Sequence, residues 1–449
     1  MGKSEPGNLC YKSISMAVFL ICTVLCTSGC SPEWLLWQAG EQVVSQEESE
    51  RRLSLEELER QAKLMVSSGD AQVSEGDAED SAPWELPENG SLLNEECSAY
   101  AYSNLSQSEQ LWYWDMARAM GTMTDKVKLS DKGIKAGLDE NCVDKVFQSV
   151  LNDHPELFYV EGYSYTKFTW GQKTVAIEFT GTYNLEWDKA VERRREIEQS
   201  VDELLAGAPQ DTDDYEKLKY AYETLIYRTD YDLEASENQN IYSVFVGRAS
   251  VCQGYAKAFQ YLMNRMGVEC TLVQGKVLDT GEGHAWNLVR ADGDYYYVDT
   301  TWGDISYQTT DQSTGQQAEK SVEDSLPEIS YDYLCITTEQ LKRTHVLNEA
   351  EPMPECTAEA DNYYVRENAL FVNYDKEKLE ELVERRLDQG SLCIALRCAD
   401  EVCYRTMYEA LLERREIFDY LAGTGINSFV YSNNDRQLTL TFFMVTSER

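Results

Sequence analysis

Polar and apolar positions alternate with a period of two along "YSYTKFTWGQKTVAIEFTGTYN", residues 163–184. That period predicts two strands folded back around the "TWGQK" turn. Just upstream the period lengthens: "SEQLWYWDMARAM" and "CVDKVFQSVLNDHPELFYV" place apolar residues three and four apart, which predicts helices. The same order, helical pattern then hairpin, returns near the C-terminus in "MYEALLERREIFDYLAGTGINSFVYSNNDRQLTLTFF", residues 407–443. Laid over one another, the two stretches bring Phe147 onto Tyr408 and Phe158 onto Phe418. Two smaller α+β modules are therefore expected, at 95–190 and 350–449, the second a possible repeat of the first. The fold class expected for the whole chain is α+β, with a third domain at 191–349 between the modules.

In that central stretch, "SVFVGRASVCQGYAKAF" (243–259) turns from a small polar loop into a helical pattern. Ala256, Phe259, Met263 and Met266 make one apolar face, and Gly267 is a natural helix stop. Ser250 and Gln253 have the spacing of a capping box, with Ser250 as N-cap. Cys252 then falls in the first helical turn, where free backbone N–H groups and the helix dipole favour a thiolate. "VECTLVQG" (268–275) reads as a strand, and "HAWNLVRADGDYYYVDTTW" (284–302) as a hairpin with Asp292-Gly293 at its tip. With that tip, Ala291 faces Asp294, Trp286 faces Asp299 and His284 faces Thr301. His284 and Asp299 are then diagonal neighbours on one surface, roughly 7–8 Å apart at the backbone. A one-residue slip would send them to opposite faces.

A thiolate, an imidazole to exchange its proton and a carboxylate to orient the imidazole are what acyl transfer through a cysteine needs. Cys252, His284 and Asp299 supply them in that order. The chain has three histidines, His154, His284 and His345, so the choice of base is narrow; His345 has no partner visible in the sequence and reads as a structural or surface residue. An oxyanion hole would combine the Cys252 N–H with a second donor. Asn238, Gln239, Asn240 and Tyr242, in the loop before the nucleophile, are candidates, and Trp286 and Trp302 flank the site.

Around these positions the blocks "YSVFVGRASVCQGYAKAFQYLMNRMGVEC", "GEGHAWNLV" and "YYYVDTTWGD" resemble the bacterial transglutaminase-like superfamily. "YRTDYD" (227–232) and "YDYLCITTEQLKRTH" (331–345) look like the borders of that domain. The resemblance implies a papain-like cysteine-enzyme core, with Cys252 as nucleophile, His284 as general base and acid, and Asp299 as the orienting carboxylate. Gly303 departs from the pattern, standing where an acidic residue is expected. The family holds both transferases and hydrolases, so the reaction stays open among crosslinking, peptide hydrolysis and deamidation, with an inactive surface scaffold as the contrasting reading.

Composition narrows the partners. Across 449 residues, 40 Lys and Arg stand against 79 Asp and Glu, a net charge of −39. Such a chain repels nucleic acid, and a protein or peptide substrate is what the family resemblance implies. No glycine-rich phosphate loop or metal-ligand spacing occurs, and no cofactor or metal is expected. Nine of the 13 cysteines lie beyond the N-terminal leader, without the spacing of a disulfide framework. The odd number leaves at least one thiol unpaired, with Cys252 the first choice; Cys393, Cys398 and Cys403 read as core packing.

Residues 1–29 carry two lysines and an apolar run of signal-peptide length. The run closes on "TSGC", which resembles the lipobox of bacterial lipoproteins, with Cys30 as the lipidated residue. The expectation is an exported protein held at the outer face of the cell membrane by a lipid anchor. Residues 30–94 have the acidic composition of a part-helical, part-disordered linker, and 307–328 read as a mobile loop that would cover the site.

Overall fold

A computed structural model of the protein describes residues 91–93, 100–170, 173–305, 310–311, 316–317, 329–348 and 353–445. The leader, Cys30, nearly all of the linker, the centre of the "TWGQK" turn and most of 307–328 lie outside the described residues. The described chain divides into two compact units, one of residues 101–191 and one that runs from Glu192 to the C-terminal end.

In the first unit, helix α1 (Gln107–Gly121) begins at a capping box. Ser106 Oγ accepts from the Glu109 N–H at 3.3 Å, and Glu109 Oε2 accepts from the Ser106 N–H at 2.8 Å. Helix α2 (Asn141–Asp153) follows the short strand β1 (Val127–Lys128). The expected hairpin is β2 (Val160–Trp170) and β3 (Lys173–Tyr183), and the sheet order is β1-β3-β2, all antiparallel. Trp112, Met116, Val146, Phe147, Ile177 and Phe179 form its buried interior.

The second unit opens in helix α3 (Trp187–Gly207) and continues through α4 (Asp214–Arg228). Strands β4 (Asp230–Tyr231) and β5 (Ala249–Ser250) pair in parallel and deliver the chain to helix α5 (Cys252–Arg265). Gly267, at φ +77°, turns the chain out of α5. The next strands are β6 (Glu269–Val277), β7 (Gly283–Ala291) and β8 (Asp294–Val298), and β9 (His345–Leu347) joins the other edge. The sheet order is β9-β6-β7-β8, antiparallel throughout. The β7–β8 register is the one the Asp292-Gly293 tip dictates: Ala291 pairs with Asp294 and Asn287 with Val298.

Helix α5 lays Tyr255, Ala256, Phe259 and Met263 in the interior, as its periodicity requires. Asn287 on β7 ties that helix to the sheet, because its Nδ2 donates to the Ala256 carbonyl at 3.0 Å and to the Thr271 carbonyl at 3.3 Å. A buried amide that bridges two backbone carbonyls fixes the helix along the strand as well as against it.

Beyond 353 the unit carries a second sheet. Strands β10 (Leu370–Phe371), β11 (Cys393–Cys398), β12 (Ser428–Asn434) and β13 (Thr439–Val445) take the order β10-β11-β13-β12, with β10 and β11 parallel. Helix α7 (Lys376–Asp388), capped by Asp375, precedes β11, and α8 (Glu401–Tyr408) follows it. The helix-then-hairpin order is common to both ends of the chain, but the parallel pair has no counterpart in the three-stranded sheet. Asp332 joins this second sheet to the central residues: its carboxylate accepts from Tyr364 Oη, Asn434 Nδ2 and Thr439 Oγ1. Arg397, fully buried, donates from Nη2 to the Asp332 carbonyl at 2.7 Å.

Candidate active site

Three local structures meet at the N-terminus of α5. Cys252 is the first residue of that helix and is half-buried. His284 stands near the start of β7, and Asp299 directly follows β8 as N-cap of the short helix α6 (Thr300–Gly303). The hairpin register thus brings His284 and Asp299 together at its open end.

Asp299 Oδ2 lies 2.7 Å from His284 Nε2. Its Oδ1 accepts from the Trp302 N–H at 3.1 Å, so one carboxylate both caps α6 and holds the imidazole. The Cys252 side chain is close enough to His284 to contribute to the rise in its proton affinity. Because Nε2 is taken by Asp299, Nδ1 is the ring nitrogen left for a further partner.

Both partners are buried, His284 5% and Asp299 1% exposed. Burial pulls the His284 ring toward the neutral form, but the Asp299 charge and hydrogen bond, with a smaller contribution from Cys252, outweigh it and raise its proton affinity above the ordinary imidazole value. Burial pushes the Asp299 carboxyl upward, and the two imidazoles around it more than reverse this, leaving it well below the usual carboxylate range. The site therefore favours an imidazolium beside a carboxylate.

Residues 201–300 match the family model described as the transglutaminase-like superfamily. The central domain is transglutaminase-like. Kyphoscoliosis peptidase of Mus musculus is 26% identical over 130 residues, which is 25% of this chain and 20% of that protein. Its Homo sapiens counterpart is 27% identical over 119 residues, 23% of this chain and 18% of that protein. The chain thus spans about a fifth of the length of these curated relatives. Among solved structures, that of a TGase covers 43% of this chain and 54% of its own at 16% identity, with a TM-score of 0.24. The periplasmic domain of TgpA from Pseudomonas aeruginosa covers 29% and 58% at 15% identity, with a TM-score of 0.18.

Within the transglutaminase-like domain, several expected details change. Val251, not Ser250, is the N-cap of α5, and no side chain caps the helix. The Ser250 hydroxyl is drawn inward instead, donating to the Asn238 carbonyl at 2.6 Å and lying 2.8 Å from Ser243 Oγ. Cys252 keeps its place in the first turn, but the loop, rather than a capping box, sets it there.

Two of the four candidate oxyanion donors, Asn238 and Tyr242, donate to acceptors of the protein, and Asn240 uses its side-chain oxygen within the loop. Asn238 Nδ2 donates to the Leu233 carbonyl at 3.0 Å, and Asn240 Oδ1 accepts from the Tyr242 N–H at 2.8 Å. Tyr242 Oη donates to Glu196 at 2.8 Å, with its ring under the Arg193 guanidinium. Gln239 is half-buried in the same loop.

His345, without a visible partner in the sequence, proves to be a neighbour of the pair. Its Nε2 lies 3.1 Å from the same Asp299 Oδ2. Trp302 is half-buried against both histidine rings, at 5.8 Å from His284 and 4.6 Å from His345. Trp286 is 1% exposed and forms the floor. It lies over Gly275, where a Cβ would fall 2.4 Å from its ring, so only glycine admits the indole there.

Other buried groups can be placed as well. His154, in the other unit, has Nδ1 2.9 Å from Glu156 Oε1. The eight described cysteines are all unpaired thiols. Cys398 and Cys403 are buried as core packing requires, whereas Cys393 is half-buried. Ligating atoms of His284, Asp299 and His345 lie within 4.8 Å of one another, a set of metal-ligand type. As arranged, both imidazoles are hydrogen-bonded to the one carboxylate.

Proposed function

We propose that the protein is a cysteine enzyme that breaks amide bonds in protein or peptide substrates through a thioester. The observation that carries the reading is the His284–Asp299 hydrogen bond beside Cys252, the first residue of a helix. The Cys252 thiolate attacks the amide carbon, forming a C–S bond and an oxyanion that the Cys252 N–H and the first turn of α5 are placed to receive. When the C–N bond breaks, His284 Nδ1 gives its proton to the leaving amine. Water or an amine then attacks the thioester, passes a proton back to Nδ1 and frees the sulfur. Asp299 keeps the ring oriented and stabilises its charged form.

Hydrolysis of peptide bonds is the favoured branch, supported by the likeness to two relatives named as peptidases. On this reading the substrates are surface proteins met outside the cell, with Cys30 as the lipid anchor. The test incubates wild type and Cys252→Ala with a surface-protein mixture and a labelled amine, followed by mass spectrometry. New termini dependent on Cys252 support hydrolysis; labelled glutamines point to transfer, and 1 Da gains at glutamine to deamidation. Identical spectra from the two proteins refute the enzyme.

A further inference from the structure

His345 is among the most deeply buried polar residues of the second unit, 1% exposed, and it is held on a sheet edge by pairing with Val277. Its ring is enclosed by Trp286 at 4.8 Å, Trp302 at 4.6 Å, Tyr333 at 5.6 Å and His284 at 5.4 Å. Two imidazole nitrogens, His284 Nε2 and His345 Nε2, converge on one oxygen of Asp299. A histidine with packing as its only task has no reason to share an acceptor with the proposed base.

We propose that His345 is a positioning residue: as a neutral ring it donates from Nε2–H to Asp299 Oδ2, fixing the carboxylate and keeping it ionised so that its charge is left for His284. The proposal rests on the thioester reading of the site.

The donor pattern around the ring supports one tautomer. A carboxylate oxygen only accepts, so Nε2 must carry the hydrogen; in the neutral ring Nδ1 is then an acceptor, 2.8 Å from Thr344 Oγ1, whose hydroxyl also lies 3.4 Å from the Leu341 carbonyl. Neutrality follows from the surroundings. Burial lowers the proton affinity of His345, and the charge of His284 lowers it further, which together outweigh the opposite pull of Asp299 and of the Leu341 carbonyl. Were His345 also charged, two cations would divide one anion, and the imidazolium of His284 would lose its advantage. With His345 neutral, Asp299 has three donors (Trp302 N–H, His284 and His345) and a single cationic neighbour. The titratable groups facing the ring are Asp299 and His284 from the hairpin and Tyr333 from the segment before β9, with Cys252 beyond His284.

Removing the donor leaves the carboxylate with one fewer hydrogen bond, less firmly oriented and so a weaker partner for the His284 imidazolium. In the full chain, alkylation of Cys252 by iodoacetamide followed from pH 4 to 9 should show this without any substrate. In His345→Phe the acid limb of the profile should move up by about one pH unit, a roughly tenfold loss at a pH on that limb. His345→Gln, which keeps an N–H near the ε position, should restore most of it. A folded His345→Phe with the wild-type limb overturns the proposal.

Should neither variant fold, two-bond 1H–15N correlation spectra of the wild-type histidines decide. A neutral Nε2–H tautomer for His345 at pH 6 to 8 supports the proposal, and an Nδ1–H or charged ring overturns it. A wild-type Cys252 no more reactive than a free thiol would instead sink the thioester reading, with the tautomer still judging the His345 bond.

Discussion

Gly303 lies against the phenol of Tyr222: a Cβ on Gly303 would fall 1.9 Å from Tyr222 Oη and 2.3 Å from Cζ. Tyr222 has no room to retreat, since it is fully buried and its hydroxyl donates to the Ser330 carbonyl at 2.8 Å. This accounts for the glycine where the family pattern leads one to expect an acidic side chain. Gly303→Ala should lower stability by about 1–3 kcal/mol, the usual cost of overpacking. Urea unfolding checks this, and a midpoint equal to wild type would contradict the packing account.

Asp299→Asn separates orientation from folding. An amide still offers an oxygen to the Trp302 N–H, and Asn is as good an N-cap as Asp, so α6 should persist. Its NH2 cannot accept from His284, however, and the ring turns to the tautomer that presents an N–H to the sulfur. Turnover should drop by roughly 10²–10⁴-fold, with α6 retained and the melting temperature lowered by the loss of the buried ion pair. Substrate cleavage and calorimetry on one preparation read both numbers; undiminished turnover would remove Asp299 from the mechanism.

The pair also gives stability a pH dependence. His284 has a raised proton affinity when folded, so its contribution is complete below the unfolded value of about 6.5 and is lost as pH rises through the folded one. Asp299 is depressed, so its contribution is complete above about 3.9 and is lost as pH falls through its lower folded value. Wild type should therefore lose stability from neutral to alkaline pH more steeply than His284→Gln. Parallel melting curves for the two proteins between pH 6 and 10 would show that the ion pair does not form.

Ser250→Ala tests the loop. The substitution leaves the buried Ser243 hydroxyl without its neighbour and removes one donor from the Asn238 carbonyl. A cost of about 1–3 kcal/mol is expected, together with slower Cys252 alkylation as the first turn of α5 loosens. Had Ser250 been a simple helix cap, Ser250→Asp would be tolerated; here a carboxylate would be buried against a carbonyl, and the expected result is misfolding or a large fall in melting temperature.

The β7–β8 hairpin was legible because its determinants are local: an Asp-Gly tip and strict alternation fix the register, and with it the His284–Asp299 contact. The helix start at Cys252 was legible for the same reason, through the apolar face that begins at Ala256. What escaped reading depends on distant chain. Ser250 has the spacing of a cap, yet its hydroxyl finds the Asn238 carbonyl 12 residues away, and a buried acceptor outcompetes a cap exposed to solvent. His345 meets Asp299 across 46 residues, through an edge strand of three residues that no periodicity announces. The available hint was scarcity: with three histidines in the chain and one in the terminal block "KRTH", His345 merited a place in the site. Asn238, Asn240 and Tyr242 were chosen for their position before the nucleophile, and position alone does not tell whether an amide faces a substrate or its own backbone.

The closed end of the β7–β8 hairpin has a consequence for how this chain can vary. Everything chemical in the hairpin sits at its open end, and the tip acts as a counter that sets parity along both strands. Two residues added together, one on each side of Asp292-Gly293, would lengthen the arm and leave His284 and Asp299 diagonal neighbours on one face. A single residue added to either side would turn one of them to the opposite face. Length at this tip is thus free to change only in even steps.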